Sequence, residues 1–364
     1  LPQMTDRPAL PMPAARRTAV IAPIAIVGSF SIDSVVAPDD TALPAKPGGN
    51  ALWSAMGAHL AGQTPRIVAR VGRDYPAAVL ERLAGAGFDL DSLIRLERTH
   101  PVRVSYAHRP NGDRVQPVPE ALLAHLSAED RAEFVDTTHS PETLVEGAPE
   151  PQDIPADWLA EVSHWHLPLL PLARHRALVA ALASAPGQVQ ADCPTRAALV
   201  GAPFERLAAS LPAIDVFLPS TSDLDVFAPD LDPRAALQAL RAHGARSVVL
   251  KAGADGVYVL EGRRLTHMPA WPATPIDPTG AGDAFCGGFL VARAQGADLV
   301  AAAALGSACA SFALETADPL DLLEGGRAEV LRRMDSLMQE ATMLTAVFPE
   351  TAGAAVMLEK DPTA

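Results

Sequence analysis

Asp277-Pro278-Thr279-Gly280-Ala281-Gly282-Asp283, followed by Ala284-Phe285-Cys286-Gly287-Gly288-Phe289-Leu290, brings together the residue types that phosphoryl transfer needs. Gly280, Ala281 and Gly282 leave the backbone bare enough for its N–H groups to approach an anion, and the small apolar run from Ala284 predicts a buried helix. The positive end of that helix favours an anion. Asp283 sets a carboxylate in the first turn, beside the anion, where it could take the proton from a hydroxyl that attacks a phosphate. Taken alone, a Gly-Ala-Gly run before an apolar helix also serves as a plain tight turn and cap.

Other segments must hold the two reactants against this turn. Ile24-Ala25-Ile26-Val27-Gly28-Ser29 predicts a buried strand ending in a turn, with Asp33 five residues after Gly28. Gly48-Gly49 precede a helix-like run, Ala51–Ala61. Val102–His108 and Arg114–Val118 flank Pro110-Asn111-Gly112-Asp113, which suits a turn between two strands. Ser247–Lys251 and Val257–Leu260 predict two strands joined through Ala252–Gly256. Gly253 and Gly256 permit close backbone approach to a nucleotide, and Lys251, one of three lysines in the chain, is placed to sit near phosphate. An isolated Gly-x-x-Gly hairpin is by default only a structural turn.

Read coarsely, strands near Ile24–Val27, Arg66–Val71, His164–Leu167, Val189–Asp192, Asp215–Leu218 and Val248–Lys251 alternate with helical runs. These runs are Ala51–Ala61, Ala77–Ala86, Leu172–Ser184, Arg196–Ser210 and Pro233–His243, and a helical block extends from Gly282 to about Leu344. Such alternation predicts an α/β fold with a mostly parallel sheet, whose ligand crevices open at the carboxyl ends of the strands. Asp33, Asp192 and Ser220 all fall just past such ends.

The order Asp-x-Thr-Gly-Ala-Gly-Asp closely resembles the C-terminal signature of the ribokinase-like (PfkB) carbohydrate kinases, as does the Gly-Gly-Phe that follows. Gly48-Gly49 and its helix, Val68-Ala69-Arg70-Val71-Gly72-Arg73-Asp74, and the Lys251–Gly256 turn resemble further segments of that family, in the same order. The resemblance implies a three-layer α/β/α domain over 20–345, with a mostly parallel central sheet. A small β-sheet lid over 34–48 and 100–119 would exclude water, with 120–160 a surface insertion and 1–19 and 346–364 terminal tails.

It implies ATP-dependent transfer of the γ-phosphoryl group to a sugar hydroxyl, with Asp283 as base and Gly280, Ala281 and Gly282 as anion hole. Asp33, Gly48, Gly49, Asn50 and Trp53 would bind substrate. Ser220, Lys251, Gly253, Ala254 and Gly256 would bind nucleotide. Asp223 would hold Mg2+, directly or through water, and Asp277 and Thr279 would form the loop that binds a monovalent cation such as K+ in many relatives. A homodimer through the lid is a further expectation of this reading.

Two departures stand out. Ser220 and Asp223 occupy the place of the family's usual Asn-x-x-Glu, and the shorter aspartate requires the metal or its water to shift. Trp53 lies where ribokinase has a sugar-binding asparagine; an indole lacks that amide's paired donor and acceptor, so ribose-like binding is not expected. It either stacks on a sugar or base face or belongs to the core. The Gly48-Gly49-Asn50-Ala51 loop has no lysine, which favours a neutral sugar or a nucleoside unless Arg70 or Arg103 points into the pocket. A nucleoside kinase and a degenerate fold acting as a sugar sensor remain alternatives. A Rossmann protein does not, because Gly28–Asp33 lacks the Gly-x-Gly-x-x-Gly turn.

The chain has 364 residues, 49% of them hydrophobic, and a net charge of −14. That content suffices for a large core, and the acidity argues against nucleic acid as a partner. No apolar run approaches the roughly 20 residues that span a bilayer, and no signal-peptide core follows Arg16-Arg17, so a cytoplasmic location is expected. Cys193, Cys286 and Cys309 are widely spaced and odd in number, which argues against a disulfide framework or a zinc cluster, and Cys286 and Cys309, in apolar helical runs, are expected as small core residues. His164 and His166 share one strand face but lack an evident third ligand, so a core strand is preferred to a metal site.

Overall fold

Alternate residues of the short buried strands feed two apolar layers. Ile24 and Ile26 pack with Leu52, Met56, Phe289 and Leu290, whereas Ala25 and Val27 join Trp165, Leu167 and Val189 on the opposite face. A strand covered on both faces reads as an unbroken apolar run, the pattern of a parallel sheet.

The computed structural model describes residues 22–109 and 114–344. The expected tails 1–19 and 346–364, and the expected turn tip Pro110–Asp113, lie outside the described residues. The strands are β1 (Ile24–Val27), β2 (Ser31–Val36), β3 (Ala42–Gly48), β4 (Arg66–Val68), β5 (Arg70–Gly72), β6 (Ile94–Leu96), β7 (Arg103–His108) and β8 (Arg114–Val115). They continue as β9 (His164–Leu167), β10 (Gln188–Ala191), β11 (Val216–Phe217), β12 (Ser247–Lys251), β13 (Val257–Glu261), β14 (Arg264–Met268) and β15 (Thr342–Leu344).

Among the described residues the central sheet runs β15-β14-β13-β12-β11-β10-β9-β1-β4. The six strands from β12 to β4 are parallel, and β13, β14 and β15 are added antiparallel at one edge. Helices cover both faces, giving the expected ribokinase-like α/β architecture. No helix among the described residues is long and apolar enough to cross a membrane.

The helices Asn50–Leu60, Ala281–Ala294 and Leu299–Leu314 pack on one face of the sheet, and glycines allow their close approach. A Cβ on Gly287 would stand 1.9 Å from the carbonyl oxygen of Ser54, and one on Gly288 would stand 2.7 Å from Cys309 Sγ. The Gly-Gly pair is thus a packing requirement of the helix that follows the Gly280 turn. All three cysteines are buried and free.

The lid is a four-stranded sheet, β3-β2-β7-β8, reached by a parallel β2–β7 pairing and closed by the β7–β8 hairpin. Along β7, Val104 faces the cavity below the lid, while Arg103, Ser105 and Ala107 face residues 118–137. The stretch expected as a surface insertion thus packs part of its length against the back of this sheet. Leu122, Leu123, Leu126 and Phe134 pack with Val36, Ala107 and Val118. Ser105 N donates to Asp136 Oδ2 at 3.1 Å.

Several boundaries differ from the sequence expectation for local reasons. The expected strand Arg66–Val71 is divided: Ala69 carries the chain from β4 in the central sheet to the separate β5–β6 pair. The expected helix Arg196–Ser210 is broken into a 3-10 turn at Arg196–Ala198 and a helix at Pro203–Ala208. Gly201, at φ 93°, takes a left-handed turn, and Pro203 starts the new helix without losing a needed N–H. The C-terminal block is not wholly helical, since Thr342–Leu344 pairs with β14.

Candidate active site

The helix Ala281–Ala294 begins on Gly280, whose φ of 80° is left-handed, and no side chain caps it. The N–H groups of Gly282 and Asp283 have no partner within the helix, so this end presents donors and a positive dipole to the cleft. Two cavities meet here. One of about 350 Å3 lies under the lid and is lined by Asp33, Gly49, Asn50, Trp53, Arg114, Gln116, Thr279 and Asp283, among others. A second, of about 930 Å3, is lined by Ser220, Asp223, Lys251, Gly253, Ala254, Gly256, Ala281, Gly282 and Asp283.

Asp283 is thus the one carboxylate, among the described residues, shared by both cavities. Burial, with Asp192 and Asp223 nearby, pushes its carboxyl up to about 8, against the pull of Lys251. A carboxylate in that range is poised as a proton acceptor near neutral pH.

On the lid side, Asp33 is buried at the β2–β3 pairing and accepts from Ser31 Oγ at 2.6 Å. Burial raises it to about 6; Ser31 and Arg114 work in the other direction. Gly48 is needed where it stands, because a Cβ there would be 2.3 Å from Asp33 Oδ2. Gly49, at φ 102°, starts the helix of Asn50. The Asn50 amide is spent on backbone: Oδ1 accepts from Ser29 N at 3.0 Å and Nδ2 donates to the Leu169 carbonyl at 2.7 Å. Trp53 is 4% exposed yet lines the lid-side cavity, so it is both a core residue and part of the wall. Arg70 and Arg103 do not line it. Arg70 pairs with Asp153 at 2.7 Å, and Arg103 with Asp74 at 2.6 Å and Glu133 at 3.0 Å.

On the other side, Lys251 Nζ donates to Asp192 Oδ2 at 2.8 Å and lies 3.5 Å from Cys286 Sγ. Burial opposes the ammonium charge, but Asp192 outweighs it and raises the Lys251 pKa. The ammonium sits beneath the helix start, 3.7 Å from where a Gly282 Cβ would be. Gly253 and Gly256, at φ 56° and 88°, shape the turn between β12 and β13.

Ser220 caps the helix Thr221–Phe227, and Asp223 closes the capping box: Asp223 Oδ2 accepts from Ser220 N at 2.8 Å and from Ser220 Oγ at 2.7 Å. Asp223 Oδ1 accepts from Arg196 Nε at 2.7 Å. Of about four acceptor positions on a carboxylate, three are used. With about one acceptor position left, Asp223 would suit a single, water-mediated contact to a magnesium ion and would not suit an all-protein cage. Among the described residues no group of three or more His, Cys, Asp or Glu side chains is arranged to hold a metal. His166 is fully buried with both ring nitrogens unpartnered.

Asp277 is 3% exposed; its Oδ1 accepts from Thr279 N at 2.8 Å and lies 3.1 Å from His108 Nε2 of the lid. The contacts of Arg114, Gln116, Arg196 and His108 were not signalled by the sequence. Each belongs to a loop or lid segment brought to the site only by the tertiary fold.

The sequence pattern of the pfkB family carbohydrate kinases matches residues 22–323. The chain is 25% identical over 285 residues to a cytidine kinase of Thermococcus kodakarensis, covering 78% of this chain and 92% of that protein. It is 25% identical over 308 residues to a ribokinase of Bacillus subtilis, covering 80% and 92%. The fold is shared with a Thermotoga maritima ribokinase at a TM-score of 0.65 and 20% identity, over 86% of this chain and 99% of that one.

Proposed function

The chain belongs to the pfkB family of carbohydrate kinases, enzymes that phosphorylate hydroxyl groups, and from that premise we propose that it transfers the γ-phosphoryl group of ATP to a sugar or sugar-bearing compound held between Asp33 and Asp283. The observation that carries this reading is the position of Asp283 on the boundary of both cavities. A hydroxyl on the lid side and a terminal phosphate on the other side both reach it.

In this reading Asp33 accepts hydrogen bonds from substrate hydroxyls and fixes their orientation. Asp283 takes the proton of the attacking hydroxyl as the new O–P bond forms and the bond to the ADP oxygen breaks. The N–H groups of Gly282 and Asp283, with the helix dipole behind them, hold the moving phosphoryl oxygens. The Lys251 ammonium adds positive charge below the same turn. Asp223 would help hold magnesium, which would supply further neutralisation of the nucleotide phosphates. Val257, Trp271, Phe285 and Leu314 offer apolar surface for a nucleobase in the larger cavity.

A second reading, a nucleoside as acceptor, is favoured by the apolar part of the lid-side wall, made by Val102, Val104, Leu144, Leu169 and Pro171. The test is ADP release with magnesium and a panel of sugars and nucleosides, with the phosphorylated product identified by mass. Acceptor-dependent ADP release is expected. Tight sugar binding without any turnover would leave the sensor reading and remove the kinase one.

A further inference from the structure

Arg114 is the only lysine, arginine or histidine among the described residues that line the lid-side cavity. It is also held in place from two directions. Its guanidinium lies 3.8 Å from the centre of the Tyr106 ring, and its Nη2 donates to Gln116 Oε1 at 2.8 Å.

The orientation of Gln116 is set from behind. Gln116 Nε2 donates to Thr138 Oγ1 at 2.8 Å, and the Thr138 hydroxyl donates to Asp136 Oδ1 at 2.6 Å. The Asp136 carboxylate is 3% exposed and takes further hydrogen bonds from Thr138 N and Ser105 N. With the amide nitrogen committed to Thr138, the amide oxygen must face Arg114. Thr138 and Leu144, both from the insertion, also line the cavity directly.

Among the described residues no carboxylate lies within ion-pair distance of Arg114, in contrast to Arg70, Arg103 and Arg196. A guanidinium stacked on a ring, with one N–H anchored, keeps a planar fork of donors for a ligand. Neutral hydroxyls satisfy such a fork weakly, and a carboxylate or phosphate satisfies it with charge-assisted, paired hydrogen bonds.

We propose that residues 133–147 buttress the lid and fix Arg114 through Gln116 and Thr138, so that the enzyme selects a sugar-like substrate bearing an anionic group away from the phosphorylated hydroxyl. The proposal rests on the kinase reading above and replaces the expectation of a neutral substrate. Gln116 and Thr138 are positioning residues; Arg114 touches the substrate.

The test compares kcat/KM for ADP release with the full chain on matched acceptors: neutral aldoses and polyols, the corresponding sugar acids, sugar monophosphates and nucleosides. Sugar acids or sugar phosphates are expected to be preferred, and the two arms tell which anion is read. Arg114→Gln should lower the ratio of anionic to neutral kcat/KM about 10- to 100-fold, chiefly through KM. Thr138→Val, which keeps the side-chain shape, should lower the same ratio by less. Neutral sugars or nucleosides used as well as their anionic counterparts, or a ratio unmoved in a folded Arg114→Gln, overturns this proposal and leaves the kinase reading standing. No ADP release with any acceptor, in a chain that still binds ATP, defeats both.

Discussion

The indole of Trp53 closes directly on Gly280: a Cβ at Gly280 would stand 2.1 Å from Trp53 Cδ2. Gly280 also holds a left-handed φ of 80° as it starts the helix of Asp283. The turn proposed to face the phosphate is therefore built on an aromatic floor, in a left-handed conformation that favours glycine. This relationship gives Trp53 a use that an asparagine at the same position would not have.

Gly280→Ala should consequently be costly twice over, through the clash with Trp53 and through backbone strain of about 1 to 3 kcal/mol. A loss of at least about 100-fold in kcat is expected as the oxyanion donors move, with a lowered Tm. Turnover within a few-fold of the parent would show that the turn does not hold the phosphate.

Asp283→Asn keeps the size of the side chain and removes the proton acceptor, so kcat should fall by about 100- to 10,000-fold. Nucleotide binding, measured calorimetrically with magnesium and a non-hydrolysable ATP analogue, should stay near the parent value. The variant should also be more stable. The folded-state carboxyl, raised by burial from the ordinary aspartate range to about 8, retains a proton that the unfolded chain has released. Parent stability therefore falls as pH rises through that window. The Tm advantage of the variant should grow from pH 4 to pH 8 and reach roughly 5 to 10 °C. An advantage that does not change with pH would exclude the buried, raised carboxyl.

The fold was largely legible because its signals are local: apolar strand runs, the helix after Gly48-Gly49, and the Gly280–Asp283 turn each carry their own constraint. The positions of Lys251 and Asp283 followed, since they sit at the end of β12 and in the first turn of a helix; Asp33, expected just past a strand end, instead lies inside β2. What the sequence hid is long-range. Arg196 reaches Asp223, His108 reaches Asp277, and Thr138 reaches Gln116 across separations that no periodicity encodes. The packing of the expected surface insertion was hidden for the same reason: its polar composition suits a surface, and nothing local shows that its few apolar residues, Leu122, Leu123, Leu126 and Phe134, pack against Val36, Ala107 and Val118.

The rate should depend on pH with a definite sign. As the proposed base, Asp283 would act in its carboxylate form, and burial raises its carboxyl to about 8, so kcat/KM should climb with pH and reach half its plateau near 8. Asp33, raised by burial to about 6, should steepen the decline below that pH as it gains a proton. Initial rates from pH 5 to pH 9.5 at fixed ionic strength give the profile. A plateau already complete at pH 6 would contradict a base in this environment.

The Lys251–Asp192 pair decides how far that limb can move. Its two side chains are only 12% and 11% exposed, so removing one partner leaves the other charge buried and unpaired. Lys251→Met should destabilise the fold by about 3 to 5 kcal/mol. It should also move the ascending limb to higher pH, because the lysine is the cation that most opposes the rise of Asp283. The double variant Lys251→Met with Asp192→Leu removes both charges and should recover much of the stability, while leaving the helix start without its underlying positive charge. Denaturation by urea separates the two effects. A double variant no more stable than the single one would mean that Lys251 matters through packing, and the electrostatic coupling to Asp283 would then have to be abandoned.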